Sequence, residues 1–270
     1  MKAIMVGVDG SPQAEVAVQH AIEIAELADA GVVAVASVFG DFDGEAEAYG
    51  HDVQTREGLE HLPTAAVNWF REALEECGEA CAVADVEFTA RLLAGRPDRV
   101  LVEEAQSVDM VVVGATGRGG KNSLFGQTAS RVMRNCIKPV LVTRERPVNI
   151  ERIMVGYDGS PASGHALEWA ADLAAAGGWK LAIVTGAVPE SELAEGADYA
   201  AKLAATRGVE AEVFLVTGDA PSVIFNQAKK WDPQMIAVGG PQRGALSGFF
   251  LGEAWPEIVE QAEVPVLRWR

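Results

Sequence analysis

Two short stretches carry residue types suited to holding a charged ligand. Asp9-Gly10-Ser11 follows one apolar run, and Gly114-Ala115-Thr116-Gly117-Arg118-Gly119-Gly120 follows another. Glycines let a backbone come close to a ligand, and the amides of a helix start favour anions. The spacing predicts that the helix after the glycine loop begins near Gln127, which places Gly126, Gln127 and Thr128 at its start. In doubly wound sheets ligands bind outside the carboxyl ends of the strands, and both stretches fall at such ends.

Charge marks the same region. From Met110 to Arg144 there is no Asp or Glu, while Arg118, Lys121, Arg131, Arg134, Lys138 and Arg144 give +6. The 270-residue chain as a whole carries −17. An all-cationic segment around a glycine loop is what an anionic ligand favours. The alternative is that some of these side chains are solvated helix residues paired with acids elsewhere. The acidity is spread over both halves, with −10 in residues 1–146 and −7 in residues 147–270. Both would repel nucleic acid and anionic membranes, so neither is expected as a partner.

Other chemistries fit poorly. The loop reads GxxGxGG after the fourth strand, unlike the dinucleotide fingerprint, and no GxxxxGK[ST] phosphate loop is present. Ser11 and Ser160 read as helix caps rather than nucleophiles. His20, His51, His61 and His165 receive no catalytic role, and no catalytic residue is assigned. Cys77 and Cys81 share a helix face and read as small core residues; with Cys136 they make three cysteines and no CxxC, which suits a reducing compartment. An acidic insert at about 39–63 includes His51 and His61 but matches no metal-ligand spacing, so it reads as a solvated loop and no metal site is expected. The six tryptophans, Trp69, Trp169, Trp179, Trp231, Trp255 and Trp269, read as core or interface anchors.

The elements that position these residues occur twice. Residues 3–11 read AIMVGVDGS and residues 152–160 read RIMVGYDGS, each followed by proline. Serine at the N-cap with proline at the first helical position is a helix start signal. Helices are predicted near 12–29 and 161–176, and strands at 31–38 and 179–187. Residues 94–105 pair with 217–228, 108–117 with 233–242, and 136–144 with 262–270. Strands alternating with helices, and continuous apolar runs at 110–113 and 235–238, describe parallel sheets covered on both faces. With 49% hydrophobic and 23% charged residues, each half can build a core. The fold class is therefore α/β: two tandem doubly wound domains, each a five-stranded parallel sheet with helices on both faces. The expected domains are 1–146 and 149–270, joined by a linker at about 144–151.

These segments, matching in order and twice, make the chain resemble a tandem universal stress protein. In that family ATP-binding copies carry Gly-x-x-Gly, nine residues, then Gly-Ser or Gly-Thr. The resemblance implies that Asp9 contacts the adenosine part and that the backbone near Val38 meets adenine. It also implies that Gly114, Gly117, Arg118, Gly126, Gln127 and Thr128 surround ribose and phosphates. Here eight residues separate Gly117 from Gly126, and Thr128 stands one place beyond the usual hydroxyl. The second copy keeps Gly239 but has Gln242 for the next glycine and Glu253 after Gly252, where a carboxylate would oppose phosphate. One ATP per chain, alone or with Mg, is thus expected in the first copy. The family's last strand pairs across a dimer axis, which implies an intramolecular pseudo-dimer through 139–143 and 265–269, and homodimers of the tandem chain.

The expected role is a stress-response sensor or regulator with at most slow ATP hydrolysis, since no general base stands out. The alternative is a nucleotide-free interaction scaffold. The chain opens directly on a strand without a signal-peptide pattern, and no run reaches 18 apolar residues, so a cytoplasmic location is expected.

Overall fold

The computed structural model describes residues 1–39, 64–117, 125–186, 190–240 and 251–270, of which 186, 190–194 and 251–253 are described by their backbone alone. Arg118, Lys121, Gln242 and the bulk of the acidic insert, including His51 and His61, lie outside the described residues. The chain divides into two compact units, Met1–Pro147 and Val148–Arg270.

In the first unit, β1 (Ala3–Val8), β2 (Gly31–Val38), β3 (Phe88–Ala94), β4 (Met110–Gly114) and β5 (Val140–Thr143) form a sheet ordered β3-β2-β1-β4-β5. All four pairings among neighbours in this unit are parallel. The helices are α1 (Pro12–Ala28), α2 (Thr64–Val83), α3 (Pro97–Glu104) and α4 (Gln127–Asn135), with a 3₁₀ turn at Ala105–Ser107. α1 packs beside α2, and α3 beside α4, which covers both faces of the sheet. The middles of the central strands are therefore buried: Ile4, Met5, Val6, Met110, Val111 and Val112 are each at 0% exposure. Cys77 and Cys81 are buried on the inner face of α2, and burial pushes the Cys77 thiol up to about 12, consistent with inert core residues.

The second unit repeats the plan. β6 (Arg152–Tyr157), β7 (Lys180–Gly186), β8 (Ala211–Val216), β9 (Met235–Gly239) and β10 (Val266–Trp269) lie in the order β8-β7-β6-β9-β10. The helices are α5 (Pro161–Gly177), α6 (Glu190–Thr206), α7 (Ala220–Trp231) and α8 (Leu251–Gln261). Both expected start signals are realised. Ala14 N–H donates to Ser11 Oγ and Ser163 N–H to Ser160 Oγ, each at 3.2 Å, with proline opening each helix.

Strand order fixes where a ligand can sit. From β1 the first unit winds outward to β2 and β3, then returns to β4 on the other side of β1. The reversal lies between β1 and β4, the place where sheets wound in this way have a crevice at the carboxyl ends of their strands. Asp9 follows β1, and Gly114 ends β4. No helix among the described residues is long and apolar enough to cross a membrane.

Candidate functional site

The crevice is built around Asp9. Its Oδ1 accepts from the Ser11 amide at 3.0 Å and from the Ser11 hydroxyl at 2.5 Å. That hydroxyl also caps α1, so one serine ties the carboxylate to the helix start. Oδ2 lies against Gly117: a Cβ built on that glycine would strike it. The turn after β1 and the loop after β4, far apart in sequence, thus meet at one carboxylate.

The glycine loop is clasped at its base. Gly126 N–H donates to the Ala115 carbonyl at 2.7 Å. A Cβ at Gly126 would stand 3.3 Å from that oxygen and 3.5 Å from Thr116 Cα, so a larger residue would crowd the clasp. Gly126 is the N-cap of α4, with φ −74° and ψ 154°, and no side chain caps the helix. The first amides of a helix have no carbonyl of their own to bond, so this end presents donors to the loop. Gln127, exposed, and Thr128, half-buried, occupy the first turn.

Gly114 has a different explanation. A Cβ there would lie 3.0 Å from the Gln13 carbonyl oxygen and 3.1 Å from its carbon, both backbone atoms of the first turn of α1. The glycine is required by helix packing. Gly239 repeats this in the second unit, where a Cβ would lie 2.6 Å from Ser163 N. Val38 ends β2, is buried, and its carbonyl accepts from Gly95 N–H at 3.0 Å.

The cations around the loop prove heterogeneous. Arg131 reaches Asp98 at 3.6 Å, and Arg96 holds the same carboxylate at 3.0 Å. Lys138 approaches Asp109, whose carboxyl is held below its ordinary range mainly by the Lys2 amide. Arg131 is therefore partly neutralised by an acid elsewhere, the alternative that the charge pattern left open. Arg144 directly follows β5, where the Thr143 carbonyl accepts from Ala115 N–H at 3.0 Å. Its half-burial lowers its pKa to about 10, which leaves it cationic at neutral pH.

The second copy holds its turn differently. Asp158 Oδ1 accepts from the Ser160 amide at 3.0 Å, but the Ser160 hydroxyl pairs with the Ser163 hydroxyl at 3.2 Å. Ser163, fully buried, takes the place of Ala14 and draws the capping serine away from the carboxylate. Gly252 and Glu253 fall within the first turn of α8 rather than before it.

Trp69 was not expected here. Grouped in sequence with core or interface anchors, it is 42% exposed, and its Nε1–H donates to the Asp9 carbonyl at 3.1 Å. Its Nε1 and Cε2 lie against Gly10, whose φ is +70°; a Cβ there would collide with Nε1 and approach Cε2 at 2.9 Å. Trp231 and Trp255, by contrast, are core residues at 5% exposure. Gly159 has nearly the same φ, +76°, but a Cβ there would meet nothing within 4 Å among the described residues. The pair separates two effects. Gly159→Ala is expected to lose about 1 kcal/mol, the left-handed backbone penalty alone. Gly10→Ala adds a steric clash and is expected to lose about 2–3 kcal/mol. Urea unfolding of both variants checks this; equal losses would show that the indole moves aside freely.

Comparisons with known proteins agree with the duplicated fold. The model of the universal stress protein family matches residues 1–144, 149–201 and 185–270. A universal stress protein of Mycobacterium tuberculosis is 33% identical over 182 aligned positions, covering 63% of this chain and 57% of that protein. The chain thus spans little more than half the length of that relative. A universal stress protein of Mycolicibacterium smegmatis is 27% identical, with 98% of this chain and 95% of its own aligned. The crystal structure of a universal stress protein from Archaeoglobus fulgidus superposes with a TM-score of 0.78 at 18% identity, covering 99% of this chain and 98% of its own, a likeness of fold.

Proposed function

The chain belongs to the universal stress protein family, and from that premise we propose that its first copy binds ATP and acts as a sensor or regulator. The observation that carries this reading is the convergence of Asp9, Gly117 and the uncapped start of α4 on one crevice. The two ends of that crevice suit different parts of a nucleotide. A carboxylate accepts hydrogen bonds from sugar hydroxyls and repels phosphate. A helix start donates amides and carries positive potential, which suits phosphate. The missing side chain at Gly117 lets the loop come against the Asp9 carboxylate, which brings the two ends together. A magnesium ion accompanying ATP would be held by the phosphates, since the described residues gather no trio of His, Cys, Asp or Glu.

The altered spacing before Gly126 is compatible with this reading. With Gly126 as the cap, Thr128 still falls in the first turn of α4, among the amides at the positive end of the helix dipole. The second copy is assigned a structural role, because the hydroxyl of its capping serine pairs with the Ser163 hydroxyl and the Ser160 amide alone of that residue bonds Asp158 Oδ1.

Calorimetry of the full chain with Mg-ATP is expected to give about one site per chain. Mass spectrometry of protein purified without added nucleotide is expected to find adenine nucleotide. Two equal sites would refute the asymmetry between copies. No binding at all would favour the nucleotide-free scaffold, a reading that gains some weight because Gly114 is explained by packing alone.

A further inference from the structure

We infer that Trp69 is a positioning residue for the Asp9 end of the first-copy site, acting through the Asp9 main chain; this rests on the nucleotide reading above. Asp9 is gripped at three atoms. Ser11 holds Oδ1, Gly117 abuts Oδ2, and Trp69 holds the carbonyl. The Ser11 bonds span two residues and form within the turn itself. The Trp69 bond spans 60 residues, and so ties the turn to a separate element, α2.

The chemistry of indole suits that task. Its N–H is a donor only, its ring is rigid, and holding it in one orientation orders just two torsions. Against Gly10 the indole atoms Nε1, Cε2 and Cζ2 make a close contact that a side chain there would prevent. Burial does not explain the placement, because Trp69 keeps 42% of its surface exposed. A tryptophan on a free helix face would gain more by packing inward. The second copy supplies a contrast within the same chain: space above Gly159 is open among the described residues, and its turn has a different serine network. The roofed turn therefore belongs to the copy whose strand-one carboxylate meets a glycine loop.

Two consequences follow for binding. Without the indole N–H, the Asp9 peptide can rotate, and the carboxylate loses its fixed aim toward Gly117. A ligand held by Asp9 also alters the surroundings of an indole bonded to the same residue.

The test is a double-mutant cycle on the full chain with Mg-ATP, using Trp69→Phe, Asp9→Asn and the pair. Phenylalanine keeps a ring and removes the donor. Trp69→Phe is expected to weaken affinity about tenfold, the effect of one lost hydrogen bond. In the Asp9→Asn background the same change is expected to matter less than about twofold, because its effect passes through Asp9. The difference in fluorescence between wild type and Trp69→Phe, which isolates one tryptophan of six, is expected to change on adding ATP. Trp69→Tyr replaces Trp69→Phe if the latter loses cooperative unfolding. Equal affinity of wild type and variant overturns this inference and leaves the nucleotide reading standing. The same fold-loss in both backgrounds also overturns it, by showing that Trp69 does not act through Asp9. Failure of the wild type to bind ATP overturns both.

Discussion

Gly117→Val is expected to abolish ATP binding to the first copy while leaving the fold intact. The β-carbon alone would strike Asp9 Oδ2, and valine adds two methyl groups in the same place. Either the carboxylate swings away from its Ser11 bonds or the loop recedes from β1. Each outcome separates the sugar-binding end of the crevice from the phosphate-binding end. A loss of at least about 100-fold is expected, equivalent to roughly 2.7 kcal/mol. The fold should survive, because Gly117 lies beyond the end of β4 and its obstruction is a single side-chain atom rather than backbone. Calorimetry measures the affinity and circular dichroism checks the fold. Retained affinity would show that the contact between Asp9 and the loop does not shape the site.

Gly239→Val should have the opposite profile. Its β-carbon would stand 2.6 Å from Ser163 N and 3.0 Å from Ala162 C and Ser163 Cα. These are backbone atoms of the first turn of α5, fixed by the Ser160 cap, so they cannot yield as a flexible side chain would. The helix must lift from β9 or the variant must unfold. About 3 kcal/mol of destabilisation is expected, at the upper end for overpacking a core. Hydrogen exchange resolved by peptide should place the loss in residues 148–270, with ATP affinity unchanged. Lost affinity with a protected second unit would mean that Gly239 serves a nucleotide rather than a helix.

This pair shows what the sequence could and could not reveal. Periodicity and cap signals located the elements closely: the strand expected at 31–38 is β2, and the helix expected near Gln127 starts there as α4. Local signals sufficed because each reports on its own backbone. The glycines at 114 and 117 look alike in sequence and differ in cause. One meets the backbone of α1 and the other meets a carboxylate, and only the folded arrangement separates them.

Charge reading met a similar limit. Counting along the chain gives six cations without an acid between Met110 and Arg144, yet Arg131 finds Asp98 on a neighbouring helix. Trp69 was illegible for the same reason. Its helical register gives no hint of the Asp9 carbonyl, because the contact depends on where α2 is laid against β1. Elements are encoded locally, whereas partners across the crevice are set by tertiary geometry.

The bond from Gly126 N–H to the Ala115 carbonyl has a consequence for how such proteins diverge. It staples the stem of the loop, so this main-chain contact, together with the packing of α4 on α3 and β5, registers the helix start against β4 whatever the number of residues in between. Loop entropy varies only with the logarithm of length, so gaining or losing one residue in about ten changes stability by about 0.1 kcal/mol. Loop length can therefore drift nearly neutrally between lineages while the helix start stays in place. A natural tolerance of this kind allows the segment between Gly117 and Gly126 to change in length while Gly117 and the helix start keep their places.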